Sequence, residues 1–159
     1  MSGATSILFV CLGNICRSPT AEAVFRARAR QAGLLDQLVI DSAGTGDWHV
    51  GKAPDARALA AAGQRGYDMH GLIGRQVEKD DFQRFDYLLA MDESNLAGLQ
   101  SLQPSDFAGH LGLFLDFHPQ ATHRQVPDPY YGGAGGFELV LDLIEQASDG
   151  LIEHLRERA

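Results

Sequence analysis

Four short apolar runs divide the chain, and stretches with helical spacing separate them. Ile7-Leu8-Phe9-Val10-Cys11, entered through Thr5 and Ser6, is continuously apolar, the mark of a strand buried on both faces. A turn at residues 12–17 follows. Ser18 and Pro19 then read as the N-cap and first position of a helix that ends near Gly33, which suits its C′ position. Leu38-Val39-Ile40 predicts a second strand, residues 41–54 a polar, Gly-rich loop, and Asp55 the cap of a helix over 56–64 stopped by Gly66. Residues 86–91 predict a third strand. Asp92-Glu93-Ser94-Asn95 caps a helix through Leu96, Leu99 and Leu102. Residues 111–115 predict the fourth strand and 116–136 a long loop. The last helix, from about residue 137, is expected to place Leu139, Leu143, Ile144, Leu151, Ile152 and Leu155 on one side. Strands alternating with helices predict an α/β fold, a three-layer sandwich of a parallel sheet with helices on both faces. No repeat is visible, and the Gly-rich run at 132–136 is too short to separate domains, so residues 1–159 are expected to form a single one.

Composition narrows the function. The 159 residues hold 13 Lys and Arg against 21 Asp and Glu, a net charge of −8, with a sequence pI of about 5.1. That balance argues against nucleic-acid binding, which rests on neutralising phosphates, and fits an anionic membrane surface poorly. The apolar run at 7–12 falls far short of the roughly 20 residues that span a bilayer. No Lys or Arg precedes it and no small-residue cleavage site follows, so it does not read as a signal peptide, and the cytoplasm is the default address. Cys11 and Cys16 are the only cysteines, too few for a disulfide framework.

The chemistry concentrates where the first strand ends. In open α/β sheets ligands bind beyond the carboxyl ends of strands. There Cys11-Leu12-Gly13-Asn14-Ile15-Cys16-Arg17-Ser18 curls from strand to helix, so that backbone N–H groups and a helix N-terminus converge on one small volume suited to an anion. Gly13 and Asn14 tolerate left-handed backbone angles. Arg17 adds a planar fork that matches phosphate oxygens. A helix N-terminus and a neighbouring Arg also stabilise a thiolate, which makes Cys11 a candidate nucleophile seated in a phosphate site. The nucleotide-binding loop ending in Gly-Lys-Ser/Thr is absent.

Val10-Cys11-Leu12-Gly13-Asn14-Ile15-Cys16-Arg17-Ser18-Pro19 resembles the active-site loop of the low-molecular-weight protein tyrosine phosphatases. The resemblance extends through Asp41-Ser42, Asp47-Trp48, Val50-Gly51, Arg75-Gln76-Val77, Asp86-Tyr87, residues 91–96 and Asp128-Pro129-Tyr130-Tyr131-Gly132. It implies a four-stranded parallel sheet, no metal or other cofactor, and a covalent cysteinyl-phosphate intermediate on Cys11 with Arg17 as the transition-state clamp. It also implies Asp128 as general acid and then general base; Asp92 and Asp116 are the other carboxylates expected near strand ends, Asp92 as a helix cap. Trp48, Tyr130 and Tyr131 match the walls of an aryl cleft. Residues 12–18 match the phosphate loop, with Ser18 as a hydrogen-bond donor to the sulfur and Asn14 and Ser42 as supports. Relatives often carry a His three residues before the Arg-Gln-Val segment, bonded to the loop Asn. Leu72 stands there, so the supporting contacts must differ.

Other readings remain open at this stage. Cys16, five positions from Cys11, is either a partner that traps an oxidised Cys11 as a disulfide or an inert loop residue. Arsenate reduction would need cysteines downstream of Cys16, and there are none. A protein-arginine phosphatase resembles the loop but tends to carry Thr where Ile15 stands. A non-catalytic phosphate-binding module would need neither Cys11 nor Asp128. The expected partner is a phosphotyrosine protein, a tyrosine kinase among the candidates, and the expected state is a monomer. His49, His110, His118, His123 and His154 show no metal-site spacing and read as solvated.

Overall fold

The computed structural model describes residues 4–119, 124–129 and 134–158. Its centre is β1, Thr5–Cys11, paired in parallel with β2, Leu38–Gly44, on one side and with β3, Tyr87–Ala90, on the other. β4, His110–Leu113, completes the parallel order β2-β1-β3-β4. Strand side chains alternate across the sheet, and β1 does so into two cores. Ile7 and Phe9 face one, Leu8 and Val10 the other.

The larger core lies under α1, Arg17–Gln31, α2, Ala56–Gln64, and α5, Ala134–Glu157. Phe9 anchors it with edge-to-face contacts to Phe25 and Phe114, ring centroids 5.7 and 4.9 Å apart. The smaller core lies under α3, Asp81–Arg84, and α4, Glu93–Leu102, through Phe82, Phe85 and Leu99. Helices therefore cover both faces, as the alternation of elements requires.

Several boundaries differ from the sequence expectation. α1 begins at Arg17 with Cys16 as its N-cap, and Ser18 makes no capping bond because its hydroxyl turns into the loop. β2 continues to Gly44, because Asp41, Ser42, Ala43 and Gly44 pair with Leu8, Phe9, Val10 and Cys11. β4 stops at Leu113 and the chain tightens into a 3₁₀ turn, Phe114–Phe117. α5 begins at residue 134 and buries Phe137, Val140, Leu141, Ile144, Leu151 and Ile152. Leu139, two residues or about 200° beyond Phe137 on a helical wheel, is exposed. The caps at Asp55 and Asp92 and the left-handed Gly33 after α1 stand as expected.

Candidate active site

The order β2-β1-β3-β4 makes the carboxyl end of β1 a switch point. The chain leaves β1 toward β2 on one side and reaches β3 on the other, which opens a crevice where ligands of such sheets bind. Cys11 is the last residue of β1 and Asp92 lies just past β3. Neighbouring loops tie the phosphate loop down by backbone bonds. Thr45 and Gly46 donate N–H to the carbonyls of Cys11 and Leu12, each at 2.9 Å, and Asp55 donates to that of Ile15 at 2.8 Å.

The loop wraps the sulfur. Asn14 N–H donates to Cys11 Sγ at 3.2 Å and Ser18 Oγ lies 3.0 Å from it. Asn14 alone among described non-Gly residues has a left-handed backbone, φ 57°. Gly13 does not share that conformation; a Cβ there would lie 2.9 Å from His49 Cδ2, so a larger residue would have to push the His49 ring aside.

Behind the loop runs a buried polar chain. Asn14 Nδ2 donates to Ser18 Oγ at 2.8 Å and to Ser42 Oγ at 3.0 Å, and Ser42 Oγ donates to Glu22 Oε1 at 2.7 Å. Asn14 Oδ1 accepts Arg75 N–H at 3.0 Å. This is how the loop Asn is satisfied without a His at position 72, and Leu72 packs against the larger core instead. Ser18 Oγ has one proton and two acceptors in reach, Cys11 Sγ and the Ala43 carbonyl at 3.3 Å. Since Asn14 already donates to it, a thiolate at Cys11 would draw that proton toward sulfur.

Burial pushes the Glu22 carboxyl up from its ordinary value, against the opposing pull of Arg26 and Ser42. Burial also pushes the Cys16 thiol up to about 12, with Asp55, Cys11 and Asp128 adding to the effect. Both cysteines are free and buried.

Arg17 is buried and doubly held. Its Nη1 donates to Asp92 Oδ2 at 2.7 Å and to the Val126 carbonyl at 3.0 Å, while Nη2 lies 3.7 Å from Asp128 Oδ2. Asp92 thus adds a grip on Arg17 to its expected capping of α4.

Cys11, Arg17 and Asp128 border one cavity of about 350 Å³. Leu12, Gly13, Ile15, Cys16, Trp48 and His49 complete its lining. Asn14, Ser18 and Ser42 sit buried behind it. Tyr130 and Tyr131 lie outside the described residues, as does His123. Asp116 is exposed on the turn after β4 and does not line the cavity.

Sequence reasoning missed the brace around Arg75, whose guanidinium forks onto the fully buried Asp81 at 3.0 and 3.1 Å and also reaches Asp41. It also missed that His118 is buried and that His49 lines the cavity. His110 is exposed, in line with the solvated reading, although it and His154 pack their rings around Tyr87 and Phe117. These surroundings arise only when the chain folds, and no local spacing announces them.

A strand-end cysteine that accepts a loop N–H and lies against a loop serine, with an arginine six residues on, defines a thiol-based phosphate-site protein of the α/β class. The profile of the low molecular weight phosphotyrosine protein phosphatase family matches residues 6–159. A low molecular weight protein-tyrosine-phosphatase of Streptomyces coelicolor is 44% identical over 155 residues, covering 96% of this chain and 94% of its own. The low molecular weight phosphotyrosine protein phosphatase of Sus scrofa is 41% identical over 153 residues, covering 95% and 96%. A crystal structure of a protein tyrosine phosphatase from Entamoeba histolytica, with Hepes in its active site, superposes with a TM-score of 0.92 at 41% identity, covering 97% of this chain and 98% of that one. The chain belongs to the low molecular weight phosphotyrosine protein phosphatase family, and it is a protein-tyrosine phosphatase, a hydrolase of phosphoric monoesters. No helix among the described residues is long and apolar enough to cross a membrane.

Proposed function

We propose that this chain, acting as one domain over residues 1–159, hydrolyses phosphotyrosine in proteins, and small aryl phosphates, in two steps through Cys11. The convergence of Cys11, Arg17 and Asp128 on one cavity carries the reading. In the first step Cys11 Sγ attacks phosphorus as a thiolate, the P–O bond to the tyrosine oxygen breaks, and Asp128 gives its proton to the departing phenolate. That phenolate is the conjugate base of an acid with pKa about 10, so its protonation is worth about 10² to 10⁴ in rate. In the second step Asp128 takes a proton from water, the water oxygen attacks the cysteinyl phosphate, and the S–P bond breaks to release inorganic phosphate and restore the thiolate.

Arg17 serves both steps. With Nη1 committed to Asp92 and Val126, its Nε and Nη2 edge forms a bidentate fork for two phosphoryl oxygens, preorganised before charge develops. Residues 12–18 supply amide donors to the same oxygens, while Asn14, Ser18 and Ser42 hold the loop's shape. Trp48 supplies a wall for the aryl ring, a role that the family resemblance also assigns to Tyr130 and Tyr131. A cavity of about 350 Å³ accommodates an aryl phosphate. The substrate is a phosphoprotein, with a tyrosine kinase among the candidates, and the enzyme works as a cytoplasmic monomer.

The test is hydrolysis of an aryl phosphate and a phosphotyrosine peptide between pH 4 and 8 with EDTA present, for wild type, Cys11→Ser and Asp128→Ala. Wild type should be active and Cys11→Ser inactive. Asp128→Ala should lose roughly 10²- to 10⁴-fold on poor leaving groups and far less on good ones. Wild type that binds phosphate but turns over neither substrate would end the phosphotyrosine reading and turn attention to phosphoarginine.

A further inference from the structure

The cavity opens onto apolar side chains for which the interior has no use. Among the described residues six large hydrophobic side chains stand exposed, and four of them, Leu12, Trp48, Val50 and Ile73, belong to the loops around the phosphate site. Val39 and Leu139 lie elsewhere, on β2 and α5. Single exposed hydrophobics are ordinary on a protein surface, whereas a cluster of them marks a contact surface.

Leu12 and Trp48 line the cavity itself, but Val50 and Ile73 do not. Backbone bonds hold these two beside it. Gly51 N–H donates to the Gly74 carbonyl and Gly74 N–H to the Lys52 carbonyl, each at 2.8 Å. The segment leaving Trp48 and His49 is thereby clipped to the segment carrying Ile73. A Cβ on Gly74 would lie 2.6 Å from the His49 carbonyl oxygen and 3.6 Å from that of Asn14, so the clip rests directly against the phosphate loop. Val50 is 53% and Ile73 65% exposed, outside both cores.

We propose that Val50 and Ile73 form an apolar ledge that receives a large hydrophobic side chain flanking the phosphotyrosine of a protein substrate. The enzyme's preferred substrates are then phosphotyrosine segments with an apolar neighbour rather than an acidic one. This rests on the phosphotyrosine reading of the cavity. The occupant follows from continuity: Trp48 and His49 line the cavity and Val50 is the next residue along, so the clip continues the cavity's Trp48 side and offers an apolar surface to a chain whose phosphotyrosine fills it. Charge points the same way. The protein carries a net −8, and of the two cations on the clip Arg75 is taken up by Asp41 and Asp81, leaving Lys52.

The test compares kcat/KM for phosphotyrosine peptides whose neighbours on either side are Leu, Ala or Glu, with para-nitrophenyl phosphate as the flank-free control. Wild type and the double variant Val50→Ser, Ile73→Ser are assayed at two salt concentrations. Wild type should favour the Leu-flanked peptide over the Glu-flanked one by roughly tenfold, the low end for an apolar contact. That preference should persist at high salt, where a charge effect would be screened. The double variant should lose it while para-nitrophenyl phosphate turnover stays within about twofold, a control that registers any damage to the fold. Equal rates on all three peptides, or a preference that survives in the double variant, would overturn the ledge with the catalytic reading intact. Absence of turnover on every substrate, the control included, would overturn the catalytic reading and the ledge with it.

Discussion

Asp92 grips Arg17 and caps α4 with the same carboxylate: Oδ2 lies 2.7 Å from Arg17 Nη1, and Oδ1 accepts Asn95 N–H at 2.7 Å. The start of a helix packed on β3 thus sets where a buried guanidinium points. The two duties separate on substitution. Asp92→Asn keeps a competent cap but gives up the charge-assisted bond to Arg17. With its oxygen on Asn95 N–H, the amide NH₂ faces the Arg17 guanidinium, donor against donor, so stability should fall by about 1–3 kcal/mol while kcat on an aryl phosphate falls by up to about 10², the cost of misplacing a group by about an ångström. Asp92→Ala should show the same kinetic loss and a further loss of about 1 kcal/mol in stability. A wild-type kcat in Asp92→Asn would mean that the Val126 carbonyl alone positions Arg17.

Two glycines should respond to alanine in opposite directions. A Cβ at Gly44 would stand 2.7 Å from the Leu12 carbonyl oxygen and 3.1 Å from Asn14 N and Gly13 C, all backbone of the phosphate loop. Backbone so tied cannot yield, so Gly44→Ala should displace the loop, weaken inorganic phosphate binding and lower kcat by about 10² or more. A Cβ at Gly63, inside α2, meets nothing within 4 Å. Gly63→Ala should therefore stabilise the protein by roughly 0.5–1 kcal/mol, the usual helical advantage of Ala, with activity unchanged. Thermal melts and steady-state kinetics on the pair check both.

What the sequence discloses about this fold is what neighbours along the chain decide. The apolar run of β1, the Asp55 cap and the left-handed Gly33 depend on residues within one turn of each other, and each stands as expected. Ser18 looks like a cap by the same local logic, but Cys11, Asn14 and Ala43 claim its hydroxyl from across the loop and from β2. The Arg75–Asp81 fork, the burial of His118 and the extension of β2 to Gly44 are likewise set by contacts that only the folded sheet brings about. Cys11 and Arg17 were legible because one short loop contains both. Asp128, 111 residues beyond Arg17, was legible only through the family resemblance, and the cavity shows it 3.7 Å from that arginine.

Glu22 links the support of the loop to pH. It is buried, accepts from Ser42 at 2.7 Å and from Arg26 at 2.9 Å, and faces Asp41 from β2 as a like charge. In Glu22→Gln the amide's NH₂ must meet either the Arg26 guanidinium or the Ser42 hydroxyl proton, donor against donor, a loss of about 1–3 kcal/mol. Because burial raises the folded carboxyl above its unfolded value, its contribution is complete below pH 4.5 and declines as pH rises through the folded pKa. The stability difference between wild type and Glu22→Gln should therefore change over the range above pH 4.5, read from denaturant midpoints across pH. A difference that is flat from pH 4 to 8 would show that the Glu22 carboxyl titrates alike in the folded and unfolded chain, against the shift that burial imposes.

Cys16 shares the cavity with Cys11 but not its chemistry. Its thiol, pushed up to about 12, holds a thiolate fraction of about 10⁻⁵ at pH 7, and the thiolate is the reactive form. Iodoacetamide at pH 7 should therefore place a single label on Cys11, read by mass spectrometry of the tryptic peptide. Equal labelling of both cysteines would contradict the burial argument. The same shift has a stability signature. The folded state favours the neutral thiol, so its contribution is complete below the ordinary value of 9.0 and is lost as pH rises toward 12. Wild type should lose stability over that window more steeply than Cys16→Ala, in which nothing at this position titrates. Capture of an oxidised Cys11 by Cys16 needs the Cys16 thiolate as well. Peroxide at neutral pH should therefore form the Cys11–Cys16 disulfide slowly, and faster as pH rises, which non-reducing peptide mapping would follow. Rapid disulfide formation at pH 7 would show that oxidation of Cys11 itself lowers the barrier at Cys16, favouring the reading of Cys16 as a resolving thiol over that of an inert loop residue.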